Sequence, residues 1–139
     1  MMKYKDFFSK KQIFIDMSVI INNQTFPAEY LSEPEQIKKG MMGRESLDGC
    51  VVFKIGMGYH SFWMKDCKIP LDIIYVIKNR ISGIHSNCQP SMDGKERFPG
   101  IGDHVIEFPG GTADEWKVGD KVNMYLGAPQ NPVQQNTFS

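Results

Sequence analysis

The chain has 139 residues, with sixteen basic side chains balanced by sixteen acidic ones, a length that suits one domain burying about 70% of its unfolded surface. Its 41% hydrophobic and 23% charged residues match ordinary globular usage, which argues against disorder, a collagen-like repeat or a membrane protein. Zero formal net charge leaves no global field toward nucleic acid or an anionic membrane, and no strong basic cluster replaces it, so neither partner is expected.

At the start of the chain, Lys3, Lys5, Lys10 and Lys11 precede the apolar run Ile13 to Ile21 and imitate a secretory leader. Asp16 interrupts that run and no small-residue cleavage site follows, so a first strand is the better reading. No stretch approaches the ~20 apolar residues of a membrane-crossing helix, and cytoplasmic residence is expected. Residues 1–11 read as an N-terminal extension, 12–126 as a single domain and 127–139 as a polar tail.

Within the domain, Gln12 to Ile21 and Gln24 to Leu31 flank Asn22-Asn23, which predicts a hairpin. In Ser32-Glu33-Pro34-Glu35, Ser32 can cap a helix, Pro34 suits its first turn and Glu35 can close a capping box. One short helix is expected near residues 33–39. Gly40 suits its left-handed end, and Lys38 and Lys39 suit the negative end of its dipole. Beyond it lie short apolar runs separated by Gly, Pro, Asn and Asp: Cys50 to Ile55, Tyr59 to Met64, Leu71 to Ile77, Arg80 to Ser86, His104 to Phe108 and Lys121 to Leu126. Lys78-Asn79 fits a two-residue turn with Asn79 at positive φ. Asn87 to Asp103, with few apolar anchors, reads as one long surface loop. Many short strands imply a mostly β domain, a sandwich or barrel-like fold.

Three segments stand out in order: Gly40-Met41-Met42-Gly43-Arg44, then Ser61-Phe62-Trp63-Met64-Lys65-Asp66, then Ile69-Pro70-Leu71-Asp72-Ile73-Ile74-Tyr75. Together they resemble the hallmark segments of domain-of-unknown-function family 192, whose members carry Gly-Leu-Met-x-Arg, Phe-Trp-Met-Lys-Asn-Thr and Ile-Pro-Leu-Asp. Met41 stands here for Leu, and Asp66-Cys67 for Asn-Thr. The likeness continues through Val105 to Gly111 and Lys117 to Val122, and covers roughly residues 13 to 125. It implies a mostly β domain with a small helical element and no established activity. Many family members carry a leader or lipid anchor, and relatives without leaders occur in phage genomes.

The densest candidate chemistry lies between Tyr59 and Asp72. Alternation along a strand there would send Tyr59, Ser61 and Trp63 to one face and His60, Phe62 and Met64 to the other. Trp63 is then either a core aromatic or a stacking platform for a sugar or base. Lys65, Asp66 and Asp72 can form an ion-pair corner beside Pro70. The fork of Arg44 can grip a carboxylate, with Asp72 or Glu107 as the expected internal partner and a ligand as the alternative. Glu107, inside an apolar run, needs a partner if it is buried.

His60, His85, His104 and the cysteines Cys50, Cys67 and Cys88 lack the short spacings of structural zinc sites, so no metal or other cofactor is expected. Three cysteines without a Cys-x-x-Cys pair suit a reducing compartment. Cys67 beside Lys65 offers a conceivable nucleophile, although the family pattern has Thr there. The leading expectation is a noncatalytic binding or accessory module that meets a polar ligand or protein partner near Arg44, Trp63, Lys65, Asp66, Asp72 and Glu107. One competing class is a hydrolase or lyase using Asp66, Asp72 or Glu107 as acid and base. The other is a structural protein, of phage origin or not, whose role lies in an oligomeric interface. A homo-oligomer is compatible with any of these.

Overall fold

The computed structural model describes residues 17–127; the extension, the tail beyond Gly127 and the predicted strand positions 12–16 lie outside the described residues. Among the described residues seven strands, β1 (Met17–Ile21), β2 (Gln24–Leu31), β3 (Cys50–Phe62), β4 (Leu71–Ile77), β5 (Arg80–Cys88), β6 (Phe98–Pro109) and β7 (Val122–Leu126), join one helix, α1 (Pro34–Lys39). The strands form a single sheet in the order β5-β4-β6-β3-β2-β1-β7, curled into a half-barrel. Only β2 and β3 run parallel, and their crossover carries α1. At one end the sheet's outer edges meet: Ile81 N–H donates to the Asp120 carbonyl, Gly119 N–H to that of Ile81, and Val122 N–H to that of Asn79. The described helix is too short and polar to cross a membrane.

Local chemistry sets the turns. Asn22 and Asn23 take φ of 50° and 66°, and Lys78 and Asn79 take 44° and 66°, as two-residue hairpins require when both central residues are left-handed. The helix start differs from expectation by one residue. Glu33, not Ser32, is the cap residue, and its N–H donates to Gln36 Oε1 at 3.2 Å. Pro34 explains the shift, because the residue before a proline is held in the extended region, here φ −86° and ψ 141°. Gly40, at φ 45°, ends the helix and donates to the Gln36 carbonyl.

Two further expectations are corrected. Cys50 to Ile55 and Tyr59 to Met64 form one strand through Phe62, because Gly56-Met57-Gly58 makes a bulge in β3 and not a turn. The predicted long loop shrinks to residues 89–97, since β5 runs to Cys88 and β6 begins at Phe98. Pro99-Gly100-Ile101-Gly102 belongs to β6. Gly100 lies where the Tyr75 ring crosses the strand, and a Cβ there would meet that ring at 2.5 Å.

Both faces of the central strands are covered, which explains their nearly unbroken apolar runs. Val52, Ile74 and Ile106 share the inner core with Phe26, Phe108 and Trp116, whose rings meet edge to face. Val51, Ile73 and Val105 face the second core, beneath Met41, Phe53 and Met64.

Candidate functional site

Register places one polar residue in that second core. Glu107 on β6 pairs with Val51 of β3 on one side and Ile73 of β4 on the other, and is only 4% exposed. Burial pushes its carboxyl up to about 8, against the opposing pull of the Arg44 cation. No described side chain or backbone group hydrogen-bonds to it. No described side-chain oxygen or nitrogen is both sealed from solvent and unpartnered, so the carboxyl must open onto free space. That space is a narrow cavity of about 30 Å³, bounded by the end of α1, Phe53, Phe62, Trp63, Lys65 and Cys67. It shares Met42 and Cys67 with an open depression of about 490 Å³ that continues to Asp66, Lys68, Pro90 and Met92.

The other candidate residues divide between this cleft and its scaffold. Trp63 is half-buried, with the Arg97 guanidinium 4.6 Å and the Lys65 ammonium 5.3 Å from its ring centre. It is therefore neither a closed core aromatic nor a bare platform. Asp66 is exposed at φ 57° and ties two loops through its backbone: its N–H donates to the Ser91 carbonyl, and its carbonyl accepts from Gly43, both at 2.9 Å. Asp72 lies on the opposite face of the sheet from Glu107, paired with Phe108 and fully buried. Its Oδ1 accepts from Asn87 N–H at 2.7 Å and Gly111 N–H at 3.1 Å, and its Oδ2 from Ala113 N–H at 2.7 Å.

Arg44 grips neither of its expected partners. Its guanidinium forms a two-pronged pair with Glu29 of β2, Nη2 lying 3.0 Å from Oε2 and Nη1 bonding Oε1. The pair, with side chains 30% and 17% exposed, clamps the segment after α1 to the sheet. Urea denaturation of Arg44→Ala, Glu29→Ala and the double variant is expected to give a coupling of about 1 kcal/mol. Additive losses would mean that the pair contributes nothing to stability.

Cys67 is unsuited to nucleophilic attack: burial first, then Glu107 and Asp66, push its thiol up to about 11. His60, His85 and His104 each contact a different neighbour, Gly56, Pro99 and Asp103, at 2.7 Å. Among the described residues no three metal-ligating side chains come together. Sequence reasoning missed Glu29, Arg97 and the cavity-lining Lys38 and Lys39. Nothing local marks the first two, whereas the lysines lie beside the Gly-Met-Met-Gly-Arg hallmark.

The chain is thus a small, mostly β domain, a curled, half-closed sheet with a polar cleft over its second core. The chain belongs to the DUF192 family (uncharacterised ACR), whose model matches residues 17–124. It is similar to a protein of unknown function from Novosphingobium aromaticivorans, at 30% identity over 78% of this chain and 83% of that one, with a TM-score of 0.69. A Sinorhizobium meliloti protein described provisionally as a transcription regulator shares the fold, at 21% identity, TM-score 0.70, and coverage of 79% of this chain and 92% of that one. No curated protein matches. These neighbours supply no established activity, and nothing in them shows catalysis.

Proposed function

We propose that the domain is a noncatalytic binding module whose polar ligand is met at the cleft formed by Glu107, Lys65 and Trp63, with Asp66 on its rim and Arg44 and Asp72 holding its walls. The observation that carries this reading is the Glu107 carboxyl, nine-tenths buried, without a hydrogen-bond partner among the described residues, and lining a cavity. Burying a carboxyl this deeply carries a desolvation cost, and Arg44 is the cation among the described residues that offsets it. The hydrolase or lyase reading needs two titratable groups converging on one reachable point. Asp72 and Glu107 face opposite sides of the sheet, and Asp72 already accepts three backbone donors, so those two do not form an acid–base pair. The three free cysteines suit the cytoplasmic residence inferred from the sequence.

The test is a screen of small polar molecules against the nitrogen-15-labelled protein, followed by amide NMR. Ligands should shift the amides of residues 40–43 and 65–68, and Glu107→Leu should abolish those shifts while the remaining spectrum stays native. Ligands that bind elsewhere, or that bind Glu107→Leu as well as the parent, would rule the site out.

A further inference from the structure

The inner cavity restricts what can reach Glu107. About 30 Å³ holds one or two water-sized groups, so only the tip of a ligand enters while its body stays outside. Phe53 and Phe62 line the cavity, and a charged tip there would lose its hydration without replacement. A carboxyl group that is protonated both donates through O–H and accepts through C=O, which a hydroxyl or a primary amide matches.

The cations around the cavity have the opposite character. Lys38 and Lys39 in the last turn of α1, together with Lys65, also line the cavity, and none of the three pairs with a described carboxylate. The Lys65 ammonium rests over Trp63 and not against Glu107. An incoming cation would meet three like charges, whereas an anion would find three donors without a described acidic partner.

We infer that the cleft takes a small anion with an uncharged hydroxyl or amide tip: the tip seats against the Glu107 carboxyl, and the negative charge is met by Lys38, Lys39 and Lys65. This ligand class rests on the binding reading above and names what that site accepts.

Four probes of similar length separate the requirements in an amide NMR titration: γ-hydroxybutyrate has tip and anion, valerate lacks the hydroxyl, butanediol lacks the charge, and aminobutanol reverses it. γ-Hydroxybutyrate should shift the amides of residues 40–43 and 67, binding about tenfold more tightly than valerate and several-fold more tightly than butanediol, with the second margin shrinking as salt rises. Lys65→Met, which removes the charge and keeps a side chain of similar length, should weaken γ-hydroxybutyrate far more than butanediol. Equal binding of valerate overturns the polar seat, and equal binding of butanediol overturns the anionic body. Tighter aminobutanol at the same amides overturns the ligand class while leaving the binding module intact. If γ-hydroxybutyrate moves none of these amides the class is wrong, and the fragment screen then decides separately whether the cleft binds at all.

Discussion

Asp72→Ala is expected to destabilise the domain by about 2–4 kcal/mol: the Ala113 N–H loses its acceptor in the buried core, at about 1–3 kcal/mol, while the Asn87 and Gly111 N–H groups, on exposed residues, lose a hydrogen bond to a charged group but can turn to water. Those donors come from Asn87, Gly111 and Ala113, so one carboxylate joins the start of β4 to the end of β5 and to the turn after β6. That turn leads to Trp116, which packs against Phe26 and Phe108 in the inner core. Losing the anchor should therefore loosen the core contact as well as the strand ends. Asp72→Asn should cost less, because Oδ1 keeps its two donors while an amide placed toward Ala113 opposes an N–H with an N–H. Urea denaturation measures both. A loss below about 1 kcal/mol for Asp72→Ala would mean that the three hydrogen bonds are not the anchor described.

Glu107 should behave in the opposite way. In the absence of ligand, Glu107→Leu is expected to stabilise the protein by about 1 kcal/mol near neutral pH, because a largely desolvated carboxyl is replaced by an apolar group of similar size. Stability bought this way should remove binding, the usual relation at a functional site.

The pH dependence follows from the same residue. Below its ordinary value of 4.5 the carboxyl is protonated in both the folded and the unfolded chain. As pH rises the unfolded chain releases its proton first, while the folded chain holds its own until about 8. Stability should therefore fall across that window, by at most about 1.4 kcal/mol per pH unit, and level off above it. Glu107→Gln cannot titrate and should lack this contribution. Subtracting its curve from the parent's isolates Glu107 from acidic groups such as Asp103 and Asp120, whose carboxyls are held below their usual range. Parallel curves for parent and Glu107→Gln would contradict the buried, unpaired state.

Much of the fold was legible because the physics behind it is local. Asn22-Asn23 and Lys78-Asn79 announce tight turns through the backbone angles they accept, and Pro34 with Gly40 brackets α1. Leu71 to Ile77 reads as a strand from its β-branched run and is one, over those same residues. Even the misplaced features have local causes that sequence pattern alone does not weigh. Glycines in Gly56-Met57-Gly58 and Pro99-Gly100-Ile101-Gly102 resemble loop punctuation, whereas a bulge and the close passage of Tyr75 are what use them.

The candidate site is a different matter. The hallmark segments drew attention to Arg44, Trp63, Lys65, Asp66, Asp72 and Glu107, but the sequence alone determined only that these residues sit in or beside strands of a β domain. Tertiary structure decided that Arg44 meets Glu29, that Asp72 gathers three backbone donors, and that Glu107 stands unpaired above a cavity. The reason is register. Side chains alternate along a strand with period two, and a strand buried on both faces carries no polar alternation to say which face is which. Only the pairing of Ile73 with Glu107, and of Asp72 with Phe108, sends the two carboxylates to opposite sides of the sheet, one into the scaffold and the other into the cleft.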